Sequence, residues 1–345
     1  MRLFGRRKWL PIMFCTVVSI IVVVVLVIRS MPPTIKHQIL PRGGWLKCPG
    51  CHNPDSLPMS ELDSNLLLIL VHSSVNRKDR RDAIRSTWLA DYQVSAKSSP
   101  VHYSFVLGGF NLSSECSEQL QEESTRHNND IMIIPSNPDN YHDLTQRTIE
   151  SFQTAVKQFD FSYVLKCDED TYVDVPRLAS KLQRRRKNPL KKEVPLYWGE
   201  MLTWKIFSGG LHGEKHFAVC ERYLPYALGG GYVLSRDLVE LLVQSAPYLR
   251  HYVAEDVSVG AWLAPFNFQY LHDTRFDTGS ESRGCKDPYL VTHKISPKQM
   301  YSYHNVYKKD GRFCSRRNRD KGISGHIYDW TAIPSKCIDY SEHLP

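Results

Sequence analysis

No internal repeat runs through the 345 residues of the chain, so a solenoid, propeller or tandem array is excluded. No shortage of apolar residues marks it as disordered: 42% hydrophobic and 23% charged is ordinary globular usage. Its triplet of adjacent glycines, Gly229-Gly230-Gly231, matches none of the phosphate-loop patterns. No small-residue A-x-A pattern follows the N-terminal apolar run, which speaks against a cleaved signal peptide.

That apolar run, residues 9–28, is the first positive signal. It has the roughly 20-residue length that a helix needs to cross a bilayer. Arg2, Arg6, Arg7 and Lys8 precede it and only Arg29 follows closely. The asymmetry keeps the N-terminus cytosolic and places the rest in a lumen. The expected organisation is a cytosolic tail at 1–8, a signal-anchor at 9–28, a Pro-, Gly- and polar-rich stem at 29–63 and a lumenal catalytic domain at 64–345. About 280 residues remain beyond the stem, room for one large α/β domain or two small ones.

Eight cysteines lie beyond the anchor, an even set that fits an oxidising compartment without revealing its pairing. Cys48-Pro-Gly-Cys51 lacks a strand–helix context and reads as a stem disulfide rather than a catalytic pair. Asn111-Leu112-Ser113 is a candidate glycosylation site. The formal charge of +8 comes partly from the N-terminal cluster and partly from Arg184-Arg185-Arg186-Lys187 with Lys191 and Lys192. The second run reads as a solvated face, or else as an attractor of acidic polysaccharide or membrane phosphates. A lumenal chain has no call for nucleic acid.

The unbroken apolar run at 66–71 predicts a strand buried on both faces. Further strands are expected at 101–107, 131–134 and 163–165, and helices at 77–89 and 117–127. Ile149, Phe152, Val156 and Phe159, at steps of 3, 4 and 3, make one apolar helical stripe. Asp174 with Pro176 starts another helix, with Leu178 and Leu182 on its inner face. Strands alternating with helices over 65–200 imply a mostly parallel sheet, whose ligands bind beyond the carboxyl ends of the strands.

At one such end stands Asp168-Glu169-Asp170. Two carboxylates two residues apart suit a hard divalent cation that also grips diphosphate oxygens. Glu255-Asp256 opens an apolar stretch, either as a helix start favoured by the dipole or as a general base for an acceptor hydroxyl. Three glycines within an apolar strand pattern suggest a bulge or a close backbone approach to a ligand. His293 is a lone histidine, a residue more often structural than a ligand.

In order along residues 65–295, these features resemble the β-1,3-glycosyltransferases of glycosyltransferase family 31. The match runs through Arg80-Arg81-Asp82-Ala83-Ile84-Arg85-Ser86-Thr87-Trp88 and Asp139-Asn140-Tyr141-His142-Asp143-Leu144-Thr145. It continues through Asp168-Glu169-Asp170, the segment from Tyr226 to Tyr232 around the glycines, and Glu255-Asp256-Val257. Arg275-Phe276-Asp277-Thr278, Gly284-Cys285 and Val291-Thr292-His293-Lys294 resemble one branch, the galactosyltransferases of the glycosaminoglycan linkage region.

The resemblance implies a GT-A-type nucleotide-sugar transferase fold, UDP-galactose as donor, Mn2+ as cofactor and inversion at the anomeric carbon. It implies a Golgi membrane enzyme whose acceptor is the β-galactose of Gal-Xyl on a proteoglycan core protein. It makes Asp170 the principal metal ligand and His293 a second, with Asp168 on the ribose side or in the metal shell. Asp256 becomes the base, and Arg81 and Arg85 the contacts at the nucleotide end. Glu169 departs from the aspartate common at the middle position. The rival readings are a related N-acetylglucosaminyl- or galactosyltransferase with another acceptor, a non-catalytic lumenal chaperone of the same fold, and a membrane-anchored lectin.

Overall fold

The apolar run near residue 66 becomes strand β1, Leu67–His72, buried along its whole length. In the computed structural model, residues 56–92, 99–206, 213–214, 222–312, 314 and 325–331 are described. The tail, the run at 9–28, Cys48 and Cys51 lie outside them. Among the described residues no helix is long and apolar enough to cross a membrane.

Along the chain, β1 leads to α1 (Lys78–Ser86), β2 (Val101–Gly108), α2 (Ser114–Arg126), β3 (Ile131–Ile134) and α3 (Leu144–Gln158). Then come β4 (Tyr163–Asp168), β5 (Tyr172–Val173), α4 (Val175–Arg186), β6 (Leu196–Gly199), β7 (Met201–Leu202) and β8 (Tyr226–Ala227). The described chain continues through β9 (Gly231–Ser235), α5 (Arg236–Ser245), α6 (Glu255–Leu263), β10 (Gln269–His272), β11 (Phe276–Asp277), β12 (Val291–Thr292) and α7 (Pro297–Asp310).

Seven strands form the central sheet in the order β10-β6-β9-β4-β1-β2-β3. It is mixed and mostly parallel: β9 alone runs against both of its neighbours, β4 and β6. Consecutive residues of β1 serve opposite layers, as the pleat requires. Leu67, Ile69 and Val71 join Ala83 and Ile84 of α1 and Leu178 and Leu182 of α4. Leu68 and Leu70 join Ile149 and Phe152 of α3, Leu238 and Leu242 of α5, and Leu263 of α6. Each fully buried leucine contributes about 1.5–3 kcal/mol, so the two-sided sheet is the main source of stability. With no polar face, β1 needs no alternation.

Helix starts follow local chemistry. Asp174 caps α4 by accepting from the Arg177 N–H at 3.1 Å, with Pro176 in the first turn. Ser113 caps α2, so that helix begins three residues before the expected start. Leu57 N–H donates to Ser180 Oγ and Asp63 N–H to Gln183 Oε1, so chain upstream of residue 64 packs on α4.

The parallel strands deliver their carboxyl ends to one edge: His72 pairs with Asp168, and His272 with Gly199. Antiparallel β9 begins there, with Gly231 opposite Cys167. A three-stranded sheet, β11-β12-β5, stands at the same edge. Its β12 pairs antiparallel with β5, just after the acidic triplet, and so returns residues 291–293 to Asp168. Cys285 and Cys314 form a disulfide that ties the segment before β12 to the chain after α7.

Candidate active site

Asp168 ends β4, and the next two residues turn away from the sheet. The three acids have different fates. Glu169 accepts from Ser73 Oγ at 2.6 Å and from Ser74 N–H at 3.0 Å, so it ties down the loop leaving β1. Asp170 directs its carboxylate to His293, whose Nε2 is 2.9 Å from Oδ1. Asp168 Oδ2 lies 3.4 Å from the same nitrogen, while its Oδ1 accepts from Lys166 Nζ at 2.9 Å. Burial alone would raise the Asp168 pKa, but Lys166 and His293 hold it well below the carboxylate range.

One ligand atom from each of Asp168, Asp170 and His293 lies within 4.8 Å of the others. The imidazole decides what this cluster suits. Its Nδ1 is 2.9 Å from Gly279 O, an acceptor only, so Nδ1 carries the proton. Nε2 of the neutral ring then turns its lone pair toward two carboxylates, and among the described residues it makes no hydrogen bond. Only a proton or a cation relieves that arrangement. Burial would lower the imidazole pKa, yet the two carboxylates hold it up at about 9. Two carboxylate oxygens and an imidazole whose other nitrogen bonds a backbone carbonyl are a fitting donor set for a divalent metal.

The glycine triplet joins this cluster to Glu255-Asp256. Leu228, Gly229 and Gly230 form a turn between β8 and β9, rather than the strand interior that the sequence pattern suggests. Gly229 N–H donates to Asp256 Oδ2 at 2.8 Å. A Cβ on Gly230 would stand 2.5 Å from His293 Cγ. One dipeptide of backbone therefore separates Asp256 from the Asp168, Asp170 and His293 cluster, and side chains at either position would fill that space.

Glu255 and Asp256, at the first turn of α6, are set apart by burial. Glu255 is bonded by Lys166 Nζ and by Tyr232 OH, the latter at 3.0 Å. Burial pushes its pKa up to about 7 against the pull of Lys166. Asp256 is partly exposed, and its oxygens accept from Gly229 N–H and Val257 N–H. Burial also raises its pKa, and Lys166 and the two amides oppose the rise. A carboxylate fixed by backbone amides, open on one side and more basic than usual, has the properties of a general base.

Arg81 and Arg85, expected at the nucleotide end, have other partners. Arg81 is fully buried and makes a two-point contact with Glu123 at 2.8 Å, with further bonds to Ser73 Oγ and Ser74 O. Arg85 bonds Asp130 and Glu123. The guanidinium that reaches the acidic motif is Arg80, 3.6 Å from Asp170 Oδ2. Among the described residues its Nε and NH1 make no hydrogen bond. Lys294 Nζ lies 3.4 Å from the same oxygen. Lys166 and Arg80 are site residues that the sequence reading passed over, because a lysine within a strand and an arginine in a basic helix carry no local sign of their surroundings.

The mixed, mostly parallel sheet that carries this acid-lined edge is that of a glycosyltransferase. Residues 79–274 match the family model described as galactosyltransferase, and the chain belongs to that family, among the β-1,3-galactosyltransferases. It is 39% identical over 280 residues to mouse beta-1,3-galactosyltransferase 6, which covers 81% of this chain and 84% of that protein. It is 31% identical over 257 residues to the hydroxyproline O-galactosyltransferase GALT6 of Arabidopsis thaliana, 71% of this chain but 35% of that longer one. A solved mannosyltransferase from Pyrobaculum calidifontis, in complex with GDP-Man and Mn2+, aligns at a TM-score of 0.37 with 11% identity over 73% of this chain and 65% of that one, too slight a likeness to build on.

Proposed function

We propose that the chain transfers galactose from UDP-galactose to the 3-hydroxyl of a β-galactosyl acceptor, with inversion at the anomeric carbon. The reading is carried by the placement of Asp168, Asp170 and His293 on one side of the Gly229–Gly230 turn and Asp256 on the other. Asp170 and His293 would hold Mn2+, with Asp168 beside them. That ion, when bound, offsets the negative charge of a departing diphosphate.

Asp256 accepts the proton of the acceptor hydroxyl as that oxygen attacks C1 from the face opposite UDP. Single displacement needs one base and no covalent enzyme intermediate. Arg77 and Arg80, beside the acidic motif, meet the nucleotide's phosphates. Arg81 serves the nucleotide end from behind, by fixing the Ser73–Val75 loop, and Arg85 ties the last turn of α1 to Asp130 and Glu123. The similarity to mouse beta-1,3-galactosyltransferase 6 supports Gal-Xyl on a proteoglycan core as the acceptor. The apolar run at 9–28, with its flanking basic residues, supports a single-pass Golgi anchor and a lumenal catalytic domain.

The test is a direct assay with purified protein, UDP-galactose and a Gal-β1,4-Xyl glycoside, with and without Mn2+. NMR of the product should show a new β1,3-linked galactose that chelation abolishes. Transfer only from UDP-N-acetylglucosamine would move the chain to another donor class. Glycan binding with no UDP release from any donor would support the lectin reading instead.

A further inference from the structure

The loop entered at Arg275 and left at Cys285 carries a heavily bonded carboxylate, that of Asp277. Asp277 is fully buried. Its Oδ1 accepts from the N–H and Nε of Arg283, at 3.0 and 2.9 Å. Its Oδ2 accepts from Ser282 Oγ at 2.7 Å and Thr292 Oγ1 at 2.8 Å. Arg283 in turn donates to Phe276 O at 2.6 Å, Thr274 O at 3.1 Å and Glu200 at 3.2 Å.

Two carbonyls of this same loop grip His293. Asp277 O accepts from the His293 N–H at 2.8 Å, and Gly279 O accepts from its Nδ1 at 2.9 Å. The first contact fixes the backbone of the histidine. The second fixes the rotation of the ring and the tautomer, and so the direction of the Nε2 lone pair. Thr292, bonded to the Asp277 carboxylate, is the residue just before His293. Asp277 thus braces His293 directly through its carbonyl and from the preceding residue through Thr292, and Arg283 holds the Asp277 carboxylate.

We infer that Asp277 and Arg283 are positioning residues that aim the His293 imidazole at the Asp168–Asp170 pair and thereby set the affinity of the site for a divalent cation. The inference rests on the reading of His293 as a metal ligand. An orienting partner one shell out from a metal typically accounts for about 10–100-fold in affinity. Asparagine in place of Asp277 presents an amide to donors that already need acceptors, so it breaks the brace while conserving volume.

Titration of Mn2+ into the full-length protein, with free hexaaqua Mn2+ read by electron paramagnetic resonance, tests the inference without turnover. Asp277→Asn is expected to weaken binding about 10–100-fold, and His293→Ala at least as much. Thr292→Val, which removes one donor and keeps the shape, is expected to fall between the wild type and Asp277→Asn, and supplies the answer if Asp277→Asn does not fold. High Mn2+ should restore the turnover of Thr292→Val, a recovery that general structural damage would not show. Normal Mn2+ affinity in Asp277→Asn and Thr292→Val beside loss in His293→Ala would overturn the inference and leave the metal reading standing. Normal affinity in His293→Ala would remove the metal reading and the inference with it.

Discussion

Glu255 and Asp256 are chain neighbours whose roles are separated by what lies above them. Lys166 and Tyr232 engage the first from within the sheet, and a cation held against a buried carboxylate leaves it little freedom to take a substrate proton. Among the described residues the hydrogen-bond donors to Asp256 are backbone amides, and its side chain keeps access to the solvent side. Asp256→Asn should lower kcat by about 10²–10⁴ while leaving calorimetric UDP–Mn2+ affinity near the wild-type value. An unchanged kcat would take Asp256 out of the role. At this scale the sequence showed the chemical types and not their partners. Asp168, Asp170, His293 and Asp256 stood out by position and by resemblance. Lys166 looked like strand filler, since nothing local tells a buried, twice-paired lysine from an exposed one. Arg81 and Arg85 were legible as basic residues, but Glu123 and Asp130, which occupy them, lie 42 and 45 residues further along the chain.

The turn at Leu228–Gly230 shows how an element carries a requirement no single residue reveals. Gly230 O is held by Thr171 Oγ1 at 2.7 Å, so the backbone cannot retreat from the histidine. A methyl group on Gly230 would stand within 2.8 Å of three His293 atoms. Gly230→Ala should therefore displace the imidazole, lower the Tm and weaken Mn2+ binding about tenfold or more. A Mn2+ affinity in Gly230→Ala equal to that of the wild type would show that the turn does not confine the ring. Long buried strands such as β1 and β2 were readable from runs of apolar residues. Two-residue strands were not: β5, β11 and β12 are too short for any periodicity, and they exist because residues far apart in the chain pair at the sheet edge. The antiparallel course of β9 was equally hidden, since a strand buried on both faces looks alike in either direction.

For the molecule as a whole, the cost of crowding acids at one sheet edge is expressed as pH-dependent stability. Glu200, at the exit of β6, is buried, and burial outweighs Arg283 to raise its pKa from 4.5 to about 7. The folded state thus holds a proton there that the unfolded chain gives up above 4.5. Stability from this group is full below pH 4.5 and is lost as pH rises through about 7, at most about 3 kcal/mol. His272, stacked on His326, has the opposite sign: burial and its neighbour lower its pKa to about 4, so its contribution is full above 6.5 and fades as pH falls toward 4. Over the shared window the two oppose each other, and the total profile hides both. Glu200→Gln removes one of them. Relative to the wild type, its unfolding free energy from urea melts in metal-free buffer should rise by about 2–3 kcal/mol between pH 5 and pH 7.5, with any lost Arg283 contact entering as a constant offset. A difference that stays level across that range, or falls, would mean that Glu200 is already ionised in the folded protein and that Arg283, rather than burial, governs it.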